Sequence, residues 1–232
     1  MTKSRGSAEI KQNNRYWLFL LLSFLVFPLN VNARQQPELK GGLENFINNH
    51  KIYPRYSLQN CIDGQVVVAF RLNKNGEVYY SEVRRGLGTD LDDEALRLIR
   101  LSSGKWSVPQ GYDTTLIVLA PVNFRLSGYD CGSKTREQIQ EAIRNYKTNV
   151  SMTSVVLNFY RNKASGKYSS EEARIIALKN TLGYDEEYLK QRVEEGRRKL
   201  KQKDRQGACE DFNFVKNMGS DLADELLARY CN

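Results

Sequence analysis

The sequence predicts an α+β protein: a small two-layer β-β-α-β domain with a three-stranded antiparallel sheet, followed by an all-helical domain. Three observations predict it. Two runs of alternating apolar residues, "GQVVVAFRL" (Gly64 to Leu72) and "EVYYSEVR" (Glu77 to Arg84), flank the turn sequence "NKNG". A capped amphipathic stretch then separates them from a third alternating run, "TTLIVLAPVNFRL" (Thr114 to Leu126). From Lys134 onward the apolar period changes from two to that of a helix.

The elements follow in order. In "GLENFINNH", Leu43, Phe46 and Ile47 recur at helical spacing, and Pro54 stops any continuation. In the first strand Val66, Val68, Phe70 and Leu72 share one face, and Val67, Ala69 and Arg71 the other. Asn75-Gly76 supplies positive φ at low cost, so the two strands pair as a hairpin. The loop "RGLGTD" has two irregular glycines and no Gly-Lys-Ser/Thr, which excludes a phosphate cradle. Thr89 caps the next helix, with Asp92 as its capping-box partner. Leu91, Ala95, Leu98 and Ile99 form the apolar face of that helix, and Trp106 fills the gap between helix and sheet. In the third strand Leu116, Val118, Ala120, Val122, Phe124 and Leu126 face one way. Pro121 lacks a ladder N–H, which assigns this strand to a sheet edge.

The helical part begins with "TREQIQEAIRNYK", carrying Ile139, Ala142, Ile143 and Tyr146 at helical spacing. "SMTSVVLNFY" reads as a buried helix. The next helix starts at Ser169 or Ser170 and ends at Gly183. A longer one carries the stripe Leu189, Val193, Gly196 and Leu200, with the charges around it, including the basic run "RRKLKQKDR", facing solvent. The last unit, within residues 205–232, is a helical hairpin broken at Gly219. Ala208, Phe212 and Val215 face Leu222, Ala223, Leu226 and Tyr230.

At the start of the chain, "RYWLFLLLSFLVFPLNVNAR" has a basic lead-in, a twelve-residue apolar core and small residues at Val31 and Ala33. This is the pattern of a cleaved export signal spanning residues 1–33; the core is short of the about 20 residues of a membrane span. If the signal stays attached, the protein is membrane-anchored. The expected organisation is therefore a signal at 1–33, an α+β domain at 39–130 and a helical domain at 134–232. The formal charge of +8 falls to about +5 once residues 1–33 are removed. That modest excess, without aromatic interleaving, argues against nucleic acid as a partner.

The chain has four cysteines, Cys61, Cys131, Cys209 and Cys231, and no C-x-x-C pair. An even number in an oxidising compartment predicts two disulfides rather than a zinc site. Three connectivities are possible. Cys209 and Cys231 bracket the terminal hairpin, which favours joining them. Cys61 precedes the first strand and Cys131 follows the third; antiparallel neighbours would bring the two together. No metal, cofactor or small-molecule substrate is expected. His50 is the single histidine and ends an amphipathic helix, which suits capping rather than catalysis. The acidic pairs Asp92-Asp93 and Glu171-Glu172 suit helix first turns. The protein is not expected to be an enzyme.

Tyr53-Pro54, "CIDGQVVVAFRLNKNGEVYYSEVRRG", "LDDEALRLI", "GKW" and "APVNFRL" together resemble, in order and spacing, the C-terminal domain of TonB-type energy transducers. The resemblance covers about residues 43–126. It implies a periplasmic, protein-binding domain that receives an extended segment of an outer-membrane or envelope protein by strand addition at its last strand. The carried-over rail is Thr114, Thr115, Leu116, Ile117, Val118, Leu119 and Ala120. The family motif maps to Tyr53, Pro54, Gly64, Gly76, Trp106, Pro121 and Phe124. The alternative readings are a membrane-anchored energy-transducer component for outer-membrane transport and a purely structural envelope protein, the last with the edge strand covered by the helical domain or closed into a homodimer. After Tyr53-Pro54 the family carries an alanine in a helical turn; "RYSLQN" implies a less regular turn here. A force-transmitting member needs a retained membrane helix and a long Pro-rich linker, and it ends at the third strand. About ten residues separate the signal from the domain here, and a helical region follows, which implies a repurposed binding module. The terminal hairpin resembles a Sel1 or tetratricopeptide unit and the Cys-flanked tails of exported proteins of the Bacteroidetes kind.

Overall fold

In the computed structural model, residues 36–163 and 171–231 are described; the signal-like stretch, Ser169 and Ser170 lie outside them. The elements are β1 (Glu38–Leu39), α1 (Leu43–His50), α2 (Arg55–Gln59), β2 (Gly64–Leu72), β3 (Val78–Arg85), α3 (Asp90–Leu101), β4 (Trp106–Ser107) and β5 (Val118–Phe124). The helices α4 (Arg136–Lys163), α5 (Glu172–Thr181), α6 (Glu186–Lys201), α7 (Arg205–Asn217) and α8 (Asp224–Tyr230) follow. The β-β-α-β order, the three-stranded antiparallel sheet and the all-helical remainder are those the sequence predicts.

The sheet order is β3-β2-β5, so β2 is the interior strand. Val66, Val68, Phe70 and Leu72 of β2, with Ala120, Val122 and Phe124 of β5, are buried against Leu91, Ala95, Leu98 and Ile99 of α3. Trp106 completes this layer: its ring lies 5.1 Å from that of Phe70, and its Nε1 donates to Ser102 Oγ at 2.8 Å. The sequence did not reveal that Trp106 also lies in a two-residue strand, paired with Leu39 of β1.

Three local expectations need correction. In the hairpin turn only Gly76 takes positive φ (75°), while Asn73 organises the turn, its Oδ1 accepting from the amides of Asn75 and Glu77 at 2.9 Å each. At α3, Thr89 caps the helix by accepting from Leu91 N. Asp92 turns instead to the preceding loop, accepting from Leu87 N and Gly88 N at 2.9 Å each. The residues after Pro54 form a regular short helix, because Asp90 Oδ2 accepts from Tyr56 N at 3.0 Å and so satisfies an exposed first-turn amide.

From Gln36 onward the chain is one compact unit holding two apolar clusters. Helix α4 joins them. The two stretches read separately, "TREQIQEAIRNYK" and "SMTSVVLNFY", are parts of one 28-residue helix, about 42 Å long at 1.5 Å per residue. Its Ala142 is buried in the first cluster, and Val156 and Phe159 in the second. Near its start Tyr56 OH donates to the Ala142 carbonyl at 2.8 Å.

In the second cluster Leu189, Val193 and Gly196 of α6 meet Ala208, Phe212 and Val215 of α7. Gly196 is required by contact: a Cβ there would lie 2.4 Å from the Phe212 ring. Two expectations fail here. Leu222 is 39% exposed rather than packed in the hairpin. The charges beside the α6 stripe are not all solvated: Arg192 Nε lies 2.9 Å and Lys199 Nζ 2.7 Å from the fully buried carboxylate of Asp211 on α7. Apolar periodicity is blind to such a pair, because its partners sit on different helices.

Two substitutions test this packing. Gly76→Ala should lower stability by about 2–3 kcal/mol, since it combines positive φ with a Cβ 2.1 Å from the Trp106 carbonyl oxygen. Asp211→Ala should cost about 2–3 kcal/mol by removing two charge-assisted contacts. Chemical denaturation reads both.

Candidate docking edge

The β2–β5 pairing runs without a register shift from Phe70↔Val118 to Gly64↔Phe124, straight through Val67↔Pro121. In an antiparallel ladder alternate residues turn their backbone groups toward the same neighbour. Pro121 has no N–H to give, so an unbroken ladder sets it among the residues whose backbone faces outward. Leu119, Pro121 and Asn123 then face the open side, and Val118, Ala120, Val122 and Phe124 face β2.

Two hydrogen bonds agree with this phase. The Lys51 ammonium donates to the Asn123 carbonyl at 3.1 Å, from the outer side. Carried across the sheet, the same alternation turns Ser81 of β3 outward, and the Ser81 amide indeed donates away from the sheet, to Gln206 Oε1 at 2.9 Å.

The two edges therefore differ. At β3, Gln206 of α7 holds both backbone groups of Ser81, its Nε2 donating back to the Ser81 carbonyl at 2.8 Å. On β5 Leu119 is 58% exposed, and Ile117, just before the strand, is 52% exposed.

The strand is shorter than the expected rail. Val118, Leu119 and Ala120 lie in β5, while Thr114, Thr115, Leu116 and Ile117 precede it. The cause is Asp113, whose Oδ1 accepts from Thr115 N at 2.9 Å and from Thr115 Oγ1 at 2.7 Å, forming a local turn. Tyr79 OH donates to the Thr114 carbonyl at 2.7 Å and holds that turn against β3. Inward alternation nevertheless persists, with Leu116 half-buried and Ile117 exposed.

The family-motif residues support the edge from behind. Tyr53 donates to the Ile62 carbonyl at 2.6 Å and meets the Phe124 ring edge-on at 5.9 Å. Burial, then the charges of Asp63 and Asp90, push its phenol well above the ordinary tyrosine range, so it stays a donor. Pro54 is the N-cap of α2. Gly64 opens β2 at φ 150°, where a Cβ would lie 3.0 Å from the Leu87 side chain. His50 caps its own helix: its Nδ1 lies 2.8 Å from the Phe46 carbonyl and its ring stacks on Phe46 at 4.2 Å.

Cys61 and Cys131 are bonded, with Cα atoms 5.8 Å apart, and Cys209 and Cys231 are bonded with Cα atoms 5.6 Å apart. The first bond joins the approach to β2 to the exit of β5, which the antiparallel register places at one end of the sheet. Among the described residues no group of three or more His, Cys, Asp or Glu is placed to hold a metal ion. No described helix is long and apolar enough to cross a membrane.

Sequence reasoning missed Lys51, Tyr79 and Gln206 as residues acting on the sheet edges. Their partners lie 72, 35 and 125 positions away, beyond any local pattern.

The Cys61–Cys131 bond closes a span of 70 residues. Replacing both cysteines with serine should lower stability by about 2–4 kcal/mol, measured as a lower denaturant midpoint together with a steeper slope, because the denatured chain loses a constraint and exposes more surface.

Comparison of the whole chain with curated proteins and with solved structures finds no match. A family model does match part of it: residues 49–126 fit the family described as Gram-negative bacterial TonB protein C-terminal. That segment runs from the end of α1 to just past β5 and holds the whole three-stranded sheet. Residues 49–126 are a TonB C-terminal domain.

Proposed function

We propose that this is an exported, periplasmic binding protein that captures an extended segment of an outer-membrane or envelope protein by strand addition along β5. The single observation that carries the reading is the contrast between the sheet's edges. Gln206 occupies β3 at Ser81, whereas Leu119 on β5 and Ile117 just before it stand exposed. The match of residues 49–126 to a protein-interaction family supports it, as does the export-signal pattern of residues 1–33.

The rail of this reading centres on Leu119, whose amide and carbonyl face outward, and extends to the Pro121 carbonyl. Thr114–Ile117 form its approach. Lys51 limits it at the far end by holding the Asn123 carbonyl. Backbone hydrogen bonds supply affinity, and exposed Ile117 and Leu119 give apolar contacts to alternate side chains of the segment.

Val118 pairs with Phe70 inside the sheet, so changing it would damage the core ladder. Leu119→Pro is the clean test. It removes an outward donor as Pro121 already does and leaves the contacts to β2 in place. The mature protein carrying a photo-crosslinker at position 117 should capture a protein from isolated envelope membranes. Leu119→Pro should weaken binding of the captured segment about five- to tenfold, the equivalent of roughly one hydrogen bond. Undiminished binding by a folded Leu119→Pro protein would place capture elsewhere.

A further inference from the structure

Helix α4 is the only covalent link between the two apolar clusters, because each disulfide closes on its own side of it. The clusters share no residue. Toward its start α4 is fixed by Ala142 and by Tyr146, whose ring lies 5.0 Å from that of Tyr56. Toward its end it is fixed by Val156 and Phe159, and Thr153 Oγ1 meets Tyr184 OH at 2.8 Å. Between these anchors Thr148, Asn149, Val150 and Ser151 are all exposed. They make up a full helical turn, so no face of α4 is packed there. "TNVS" also consists of weak helix formers. The Thr148 hydroxyl donates back to the Arg144 carbonyl at 3.0 Å, a contact that loosens and often bends helices.

The second tie between the clusters is a polar seam, where α6 and α7 lie against α3 and β3. It contains a cleft of about 240 Å³, and among the described residues lining it Leu96 alone is uncharged. Gln206 holds Ser81, its Oε1 accepting from Ser81 N at 2.9 Å and its Nε2 donating to Ser81 O at 2.8 Å. Arg100 is 7% exposed and donates to both carboxylate oxygens of Glu210, at 2.7 and 2.8 Å. Its Nε donates to Ser81 Oγ at 2.8 Å. The Glu210 side chain is half exposed, so salt reaches and screens the pair. Closing the seam also desolvates carboxylates: burial pushes Asp93 and Asp204 above the ordinary aspartate value. Desolvation offsets much of the attraction across such a seam, so it closes with a small margin.

We infer that the helical region is a hinged latch, which swings from the sheet by bending α4 at Thr148–Ser151, with Ser81, Arg100, Gln206 and Glu210 as the catch. Release frees both outward backbone groups of Ser81 and turns the β3 edge from occupied to open. The device is separate from capture at β5 and does not depend on it.

Paired spin labels read the distance across the seam. They are carried on unnatural amino acids at the exposed positions of Lys74 and Arg198 in the full mature chain. At about 10 mM salt a single distance is expected; about 1 M salt, where the screening length is about 3 Å, should add a second distance reversibly. Gln206→Ala with Glu210→Ala should give the second distance already at low salt. Replacing Thr148, Asn149, Val150 and Ser151 with alanine in that variant stiffens α4 and should restore the single distance. One distance at every salt concentration in the otherwise unaltered chain overturns the inference, as does a folded release variant that keeps the single distance. A second distance that survives the four alanines places the motion elsewhere and overturns it too. If the release variant does not fold, the four alanines are placed in the otherwise unaltered chain, where they should abolish the salt-induced distance; its persistence overturns the inference.

Discussion

Everything in the first cluster depends on β2 being hydrogen-bonded on both sides. A strand so placed has no spare backbone groups, and its side chains decide which face is core. Val66, Val68, Phe70 and Leu72 are all fully buried, so one face of the sheet must carry α3. With the register fixed by that face, the phase of the backbone groups is fixed along β5 and, between two irregularities of the β2–β3 ladder, from Tyr80 to Val83 on β3, because a slip of one residue would turn the apolar set outward. Pro121 and Ser81 lie on different strands and are tied by this single phase.

A sheet of three strands has two edges, and the molecule treats them differently. The β5 edge is limited by single residues: Pro121 withholds a donor, and Lys51 takes an acceptor at Asn123. The β3 edge is covered by a helix that the TonB C-terminal segment does not include, since the match ends at residue 126. The helical region is anchored to that segment at two distant places. One is the start of α4, where Ala142 is buried in the first cluster and its carbonyl accepts from Tyr56. The other is the Arg100–Glu210 pair on α7. Between them α4 spans both clusters, which makes the two halves one compact unit.

Much of the sheet is legible in the sequence because its causes are local. Alternation marks Gly64–Leu72, the Asn73–Gly76 turn marks a hairpin, and the absent N–H of Pro121 marks an edge. Helix α3 is legible for the same reason, through Thr89 and the spacing of Leu91, Ala95, Leu98 and Ile99. The candidate rail was legible only in part. Alternation continues through Leu116, so the strand looks longer than it is; the Asp113 side chain ends it by bonding to Thr115 instead. The features that distinguish the two edges were not legible. Lys51, Gln206 and the Asp211 carboxylate act on residues of other elements, and nothing in their own neighbourhood announces a partner. Asp92 sits at the spacing of a capping box, yet the loop amides of Leu87 and Gly88 compete for it and win.

The central claim is that, among the described residues, the phase of the sheet leaves β5 open and β3 occupied at Ser81. Site-resolved amide hydrogen exchange of the free protein tests it without any partner in hand. The account predicts fast exchange at Leu119, whose N–H faces outward, beside slow exchange at Ala120, whose N–H faces β2, and slow exchange at Ser81 on the opposite edge. Protection of Leu119 equal to that of Ala120, or an unprotected Ser81, would contradict it.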